Sequence, residues 1–344
     1  MSIVVGIPTY RRPELLRGLL LEVTKQAEGH PVSVVVADND CDPAVERVAE
    51  EVGRGTTVPI TVRPVRERGI SQARNALVTT AYEVDPEWVY LVMYDDDGLP
   101  EPGALMALVD CARRYDADCA SGPVDMGINK SYPTLVRSYL LASSVLRREG
   151  LVSSLDGGQN LLLSRRLVDR MPRPWFAPHR GLSGGEDFAF FLRARSLGAR
   201  FAWSPAAVVN EPLPPHRLSN RGALLRAFEE NAANADTEVE FFGYGHTLAT
   251  LGRSLVWPFV NVAGATTATP SGSPGSRCRC AVSPGGRRGW PAIGPGPISD
   301  EASGPRGPDD QTYLPGAGSS AWRTNPGRCP YPRRDHQPGE PTLG

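Results

Sequence analysis

Apolar and polar residues alternate in blocks along the first two thirds of the chain. Ser2–Pro8 is a short β-branched run closed by proline and predicts a strand. Leu15, Leu16, Leu19, Leu20 and Val23 recur at helical spacing, which predicts a helix over Pro13–Glu28 with that stripe buried. Val32–Ala37 is apolar almost without interruption, as expected of a strand covered on both faces. A helix over Ala44–Val52, a strand over Ile60–Val65, a helix over Gly69–Tyr82 and the apolar strand Trp88–Met93 follow. Such alternation predicts an α/β fold with a Rossmann-like, mostly parallel sheet flanked by helices. Later the pattern loosens. Asp118–Val124 and Gly158–Leu163 read as strands, Glu186–Leu197 and Ala223–Ala232 as helices. The connection Asp125–Gly157 carries few signals and is assigned to one side of a cleft. There is no internal repeat.

Composition changes this picture at the C-terminal end. In Ser271–Gly344 glycine and proline exceed a third of the residues and leucine is nearly absent, so little apolar surface is available to offset chain entropy. That stretch is expected to be disordered. Its abrupt onset and its Arg, Gly, Pro, Ser and Cys content also match a GC-rich frame read out of phase, so a frameshifted tail is the sharper expectation. Thr247–Ala265 is mostly apolar but contains Arg253 and Pro258, which suits a helix lying on a protein or membrane surface. A net charge of −1 argues against a dedicated nucleic-acid binder, which usually shows a strong basic excess. The six cysteines lack zinc-site spacing, so those in the globular part are expected to be plain thiols in a reducing compartment. Met1 runs directly into the first strand, so no signal peptide is expected.

Candidate chemistry concentrates where strands end. Asp95-Asp96-Asp97 leaves the apolar strand Trp88–Met93, and three adjacent carboxylates repel unless a cation lies among them. Mg²⁺ and Mn²⁺ prefer oxygen ligands and commonly share them with phosphates. The other reading is a polar turn capping a helix that starts near Glu101. Pro8-Thr9-Tyr10-Arg11-Arg12, Asp38 and Gly69–Asn75 also follow strands, so a parallel sheet would bring all four loops to one rim. Asp38 suits either a base or ribose contact or a turn; Arg74 and Asn75 suit either a phosphate or sugar contact or a solvated helix face. Neither a dinucleotide-type glycine fingerprint nor a Walker-type loop is present, which leaves carboxylate-held metal as the means of neutralising a diphosphate. Gly184-Gly185-Glu186-Asp187 opens a helix, where its carboxylates either cap or supply a general base, while the glycines allow close backbone approach to a ligand.

Taken in order, Pro8–Pro13, Asp38-Asn39-Asp40, Gly69–Asn75, Asp95-Asp96-Asp97 and Gly185-Glu186-Asp187 resemble the motifs of a family 2 glycosyltransferase of the GT-A fold, over roughly residues 2–235. The resemblance implies inverting transfer of a sugar from a nucleotide diphosphate donor to a hydroxyl acceptor (glycan, lipid-linked or small molecule) with Mg²⁺ or Mn²⁺. It implies that Pro8, Thr9, Tyr10, Arg12 and Asp38 hold the nucleotide, with Arg74, Asn75, Asp95 and Asp96 beside the donor. Asp95 and Asp97 would bind the metal, Asp97 the more directly, with His216 as a further ligand or Arg217 on the diphosphate. Asp187 would be the catalytic base with Glu186 beside it, and Gly158, Gln159 and Asn160 would line the acceptor cleft. The loop from Trp203 to Arg217 resembles the family's closing loop. Arg11 departs from the pattern, which has Asn there.

The expected organisation is therefore a nucleotide-sugar-binding half over residues 1–110 and an acceptor-binding and catalytic half over 111–235. A helical, membrane-adjacent segment over 236–265 and the tail over 266–344 complete it. The protein is expected in the cytoplasm, touching the inner membrane face peripherally. The alternatives are a nucleotide-sugar-binding protein without catalysis and a nucleotidyltransferase, whose triphosphate would want a more basic, glycine-rich first loop.

Overall fold

The computed structural model describes residues 2–144, 147–155 and 157–266, with backbone alone for 249–266 and His216. Its strands are β1 (Ile3–Thr9), β2 (Val32–Asp38), β3 (Ile60–Pro64), β4 (Tyr90–Tyr94), β5 (Leu99–Pro100), β6 (Cys119–Ser121), β7 (Val124–Asp125), β8 (Gly150–Val152), β9 (Asn160–Ser164), β10 (Phe201–Trp203) and β11 (Val209–Asn210). The helices are α1 (Pro13–Ala27), α2 (Pro43–Gly53), α3 (Ile70–Val84), α4 (Ala104–Arg114), α5 (Thr134–Ser143), α6 (Arg165–Arg170), α7 (Glu186–Ser196) and α8 (Asn220–Thr266). Eight strands form one sheet in the order β3-β2-β1-β4-β9-β6-β10-β8, and β5, β11 and β7 form a small second sheet.

The N-terminal half is the parallel unit that strand–helix alternation predicts, with β3, β2, β1 and β4 all running one way. Its strands bury both faces. Ile3, Val5 and Ile7 of β1 pack with α1, α2 and α4 through Leu16, Leu20, Val48 and Leu105, while Val4, Leu91 and Met93 pack with α3 and α7 through Leu77, Val78 and Phe190. Proline at the first turn starts α1 and α2, and the Asp42 carboxylate caps α2 by accepting from Ala44 N.

The second half departs from the parallel pattern. β9 runs antiparallel to both β4 and β6 and fills the centre of the sheet. The single strand expected over Asp118–Val124 is two, β6 and β7, in different sheets. They part at Gly122, which lies so close to the 204–207 turn that a Cβ would sit 2.2 Å from Ala207 O and 2.7 Å from Ser204 O. The helix expected near Glu101 starts at Ala104 instead, because Leu99 and Pro100 pair with Asn210 and Val209 and Gly103 turns the chain at φ 87°. The weakly patterned connection contains α5 and β8; α5 packs Val136 and Leu140 against Ala223 of α8. The helices expected over Ala223–Ala232 and Thr247–Ala265 belong to one element, α8, broken where Gly243 adopts φ 76° and ψ 166°. Among the described residues no helix is long and apolar enough to cross a membrane. The expected tail, beyond Thr266, lies outside the described residues.

Gly122→Ala should cost about 2 kcal/mol by forcing backbone apart rather than a side chain. A clear drop in the thermal midpoint is expected; an unchanged midpoint would contradict this close approach.

Candidate active site

The ends of β1, β2 and β4 meet on one rim, as their parallel pairing requires. Asn39 N donates to Thr9 O at 2.9 Å, and Thr9 Oγ1 donates to Asp96 Oδ2 at 2.8 Å. Asp96 is the inward member of the triplet. It also accepts from Tyr10 N and from Arg12 Nη1, at 3.4 and 2.9 Å, and burial pushes its carboxyl up to about 6. Its neighbours alternate outward and are part-exposed, Asp97 accepting from Arg12 Nη1 at 2.7 Å and Asp95 from Arg74 Nη2 at 3.2 Å. The middle carboxylate thus ties down the first loop while the outer two face the cleft. That division is made in the turn after β4, which Gly98 N closes by donating to Asp95 O at 3.0 Å.

Arg74 is the link to the second half. Only 3% of its side chain is exposed, and Nη1 donates to Glu186 Oε1 at 2.7 Å. Burial works against its charge, but Asp95, Glu186 and Asp187 outweigh that and hold its pKa above the ordinary value. Glu186 is pushed up by burial and by Asp187 beside it, more than Arg74 pulls it down. Both carboxylates open α7, where the helix dipole favours negative charge. Asp187 Oδ2 accepts from Gly158 N at 3.1 Å and Oδ1 from Phe188 N at 2.7 Å. Gly158 is required there, since a Cβ would lie 2.5 Å from Arg74 Nη1.

Three expected positions are placed differently. Asn75 turns from the rim and pairs with the backbone of Phe176, donating at 2.7 Å and accepting at 3.0 Å. Asn160 is buried and donates to Ala207 O at 2.8 Å, while Gln159 presents its carbonyl to Asp95 N at 3.4 Å. The glycine pair before α7 sits at φ 83° and 80°, and the close approach at Gly185 is to α8, where a Cβ would meet Thr237 Oγ1 at 2.8 Å. Pro8 lies inside β1, which runs on to Thr9, and Asp38 is wholly buried at the end of β2, its carboxyl pushed by burial up to about 6.

Some contributors went unread in the sequence. Asn39 bridges loops by donating to Val65 O and Glu67 O and accepting from Gly69 N at 2.8 Å. Arg180, buried in the loop before α7, pairs with Asp236 and Glu240 of α8. Asn39 lies in the Asp38-Asn39-Asp40 motif without a role of its own there, and Arg180 has no motif around it. Glu211 follows β11, whose register continues toward Gly98; burial, Asp97 and Asp95 all push its carboxyl up, against the pull of Arg217.

Among the described residues no three His, Cys, Asp or Glu side chains gather as a ready metal site. Asp95 and Asp97, with Glu211 nearby, offer oxygen donors alone. That set fits a hard divalent ion completed by water and phosphate oxygens, and does not fit zinc. Of His216, only the backbone turn Pro215–Arg217 is described.

A profile described as "Glycosyltransferase like family 2" matches residues 2–226. The chain is 31% identical over 232 residues to the succinoglycan biosynthesis protein ExoM of Rhizobium meliloti, covering 66% of this chain and 72% of ExoM. The chain therefore belongs to glycosyltransferase family 2. Solved structures similar to it include S. aureus TarS 1–349, at 16% identity and a TM-score of 0.46. The match covers 62% of this chain and 60% of that one, under two thirds of its length. Another is the mannosyltransferase PcManGT of Pyrobaculum calidifontis, at 16% identity and a TM-score of 0.47, covering 78% of this chain and 76% of that one.

Removing Arg74 would strand two carboxylates. Arg74→Ala is expected to cost about 3 kcal/mol at pH 8, the usual effect of deleting one partner of a buried pair. With their folded pKa values raised further, Asp95 and Glu186 would then contribute stability only when protonated, so the loss should shrink as pH falls toward 5. Equal losses at both pH values in denaturant titrations would contradict the pairing.

Proposed function

We propose that the protein transfers a sugar, with inversion, from a nucleotide diphosphate donor to a hydroxyl of a carbohydrate acceptor, assisted by Mg²⁺ or Mn²⁺. The observation that carries this reading is the joining of Asp95 to Glu186 through Arg74, which sets the strand-end carboxylates beside the N-terminus of α7. Asp95 and Asp97 would hold the cation, and a cation there supplies charge neutralisation for the leaving diphosphate. Thr9, Tyr10, Arg12 and Asp38 bind the nucleotide, and Arg74 steadies the donor side. Asp187 is the general base. It is held by two backbone N–H groups and, among the described residues, carries no ion pair at hydrogen-bond distance, which leaves it able to accept the acceptor hydroxyl's proton. Glu186 is committed to Arg74 and serves as a positioning residue. Gly158 orients Asp187 through its N–H.

The ExoM name, with its reference to succinoglycan, supports an acceptor in polysaccharide assembly. Exposed Leu224, Leu225, Phe228, Tyr244 and Leu248 along α8 favour an acceptor met at a membrane surface.

Release of nucleoside diphosphate from nucleotide-sugars, assayed with saccharide acceptors, tests the assignment. Asp187→Asn should lower turnover about 10²- to 10⁴-fold while nucleotide affinity stays within about twofold. Undiminished turnover in the variant would remove Asp187 from the role. Nucleotide binding by the wild type without turnover of any donor would favour a binding protein.

A further inference from the structure

The loop that leads into α7 is held from two sides. On the α3 side, Ile70 N donates to Gly181 O at 2.9 Å and Gln72 Nε2 to Pro178 O at 3.2 Å. On the α8 side, Arg180 lies with Nη1 3.4 Å from Asp236 Oδ2 and donates from Nη2 to Glu240 Oε2. Its side chain is only 2% exposed. Among the described residues those two carboxylates are its only ion-pair partners, and its Nε has no hydrogen-bond partner. A guanidinium so far from water is costly unless paired, so its place depends on α8. Burial works against the Glu240 charge, but Arg180 and His179 outweigh it and hold that carboxyl below its usual value.

Backbone carries this attachment on to the start of α7. Arg180 O accepts from Gly184 N at 3.1 Å, and Gly185 O accepts from Ala189 N at 2.9 Å in the first turn of the helix. The glycines between them lie against α8, where a Cβ on Gly184 would be 3.7 Å from Ala233 Cβ and one on Gly185 3.1 Å from Ala233 O. Glu186 and Asp187 follow directly. α8 breaks at Gly243, just past Glu240, so its regular part ends where the attachment ends. Both carboxylates lie beyond residue 226, where the family match stops.

Resting on the reading of Asp187 as general base, we propose that Arg180 is a positioning residue for sugar transfer. Tied to Asp236 and Glu240, it fixes the loop that aims Asp187, and the catalytic unit therefore extends along α8 to Glu240. The nucleotide side does not hang on this tie. Thr9, Asn39 and Asp96 are bonded to one another across the ends of β1, β2 and β4, and the α3 border of the loop keeps its own two bonds. Losing the α8 tie loosens the start of α7 alone. An error of about 1 Å in placing a reacting group can cost about 10²-fold in rate. Arg74 still holds Glu186 and Gly158 N still donates to Asp187, which keeps the loss partial.

The test uses the full chain carrying Asp236→Asn and Glu240→Gln, alone and together. Both side chains are well exposed, at 77% and 46%, so these substitutions remove charge without disturbing the core. Each protein is measured for its thermal midpoint and for nucleoside diphosphate affinity in Mn²⁺ buffer. Turnover is measured with the nucleotide-sugar and saccharide acceptor that the wild type uses best. The double variant should stay folded, lose about 10- to 100-fold in kcat, and keep nucleotide affinity within about twofold. If it does not fold, each folded single variant is read the same way, with a loss of at least about threefold in kcat expected. Unchanged kcat in the folded variant would overturn the inference and leave the proposed function standing. So would kcat and nucleotide affinity falling together, which marks general loosening rather than misplacement of Asp187. A wild type that turns over no donor, or turnover undiminished by Asp187→Asn, would overturn the reading of Asp187 and this inference with it.

Discussion

One buried guanidinium joins the two halves of this chain. Arg74 sits on α3 in the N-terminal half, yet its partners are Asp95 at the end of β4 and Glu186 at the start of α7. Without it, three carboxylates would face one another in a poorly solvated cleft; with it, Asp95, Glu186 and Asp187 share a cation supplied by the protein. Gly158 follows from the same constraint, because only a residue without a side chain leaves the guanidinium its place and still offers an N–H to Asp187.

The sheet makes this meeting possible. Parallel β1, β2 and β4 deliver the first loop, Asp38 and the triplet to one edge, and antiparallel β9, entering beside β4, brings Gly158 and Gln159 to the same edge from its own start. The turn after β4 then divides the triplet, with Asp96 fastening Thr9, Tyr10 and Arg12 while Asp95 and Asp97 stay part-exposed. The α7 side is secured separately, by Gly185 against α8 and by Arg180 reaching Asp236 and Glu240.

The parallel half was legible in the sequence because each element there carries a strong local signal, from the leucine stripe of α1 to the uninterrupted apolar runs of β2 and β4. Its rim loops were legible for the same reason, since a parallel sheet sends them one way. What escaped depends on distant partners. Nothing local marks β9 as antiparallel, and the split between β6 and β7 turns on how closely Gly122 meets the carbonyls of Ala207 and Ser204. α5 buries only Val136 and Leu140, too short a pattern to stand out. Asn75 and Gly185 were read as facing ligand because of their motifs; the one clamps Phe176 and the other packs on α8.

On the function proposed above, Asp95 and Asp97 bind a donor diphosphate through a divalent cation. Its most direct test is the affinity for the best-bound nucleoside diphosphate, titrated with and without Mn²⁺ on the wild type and on Asp97→Ala. The wild type should bind at least about tenfold more tightly with Mn²⁺, and the variant should show little dependence on it. Equal wild-type affinity in both buffers, or full retention of the metal effect in Asp97→Ala, would contradict the account.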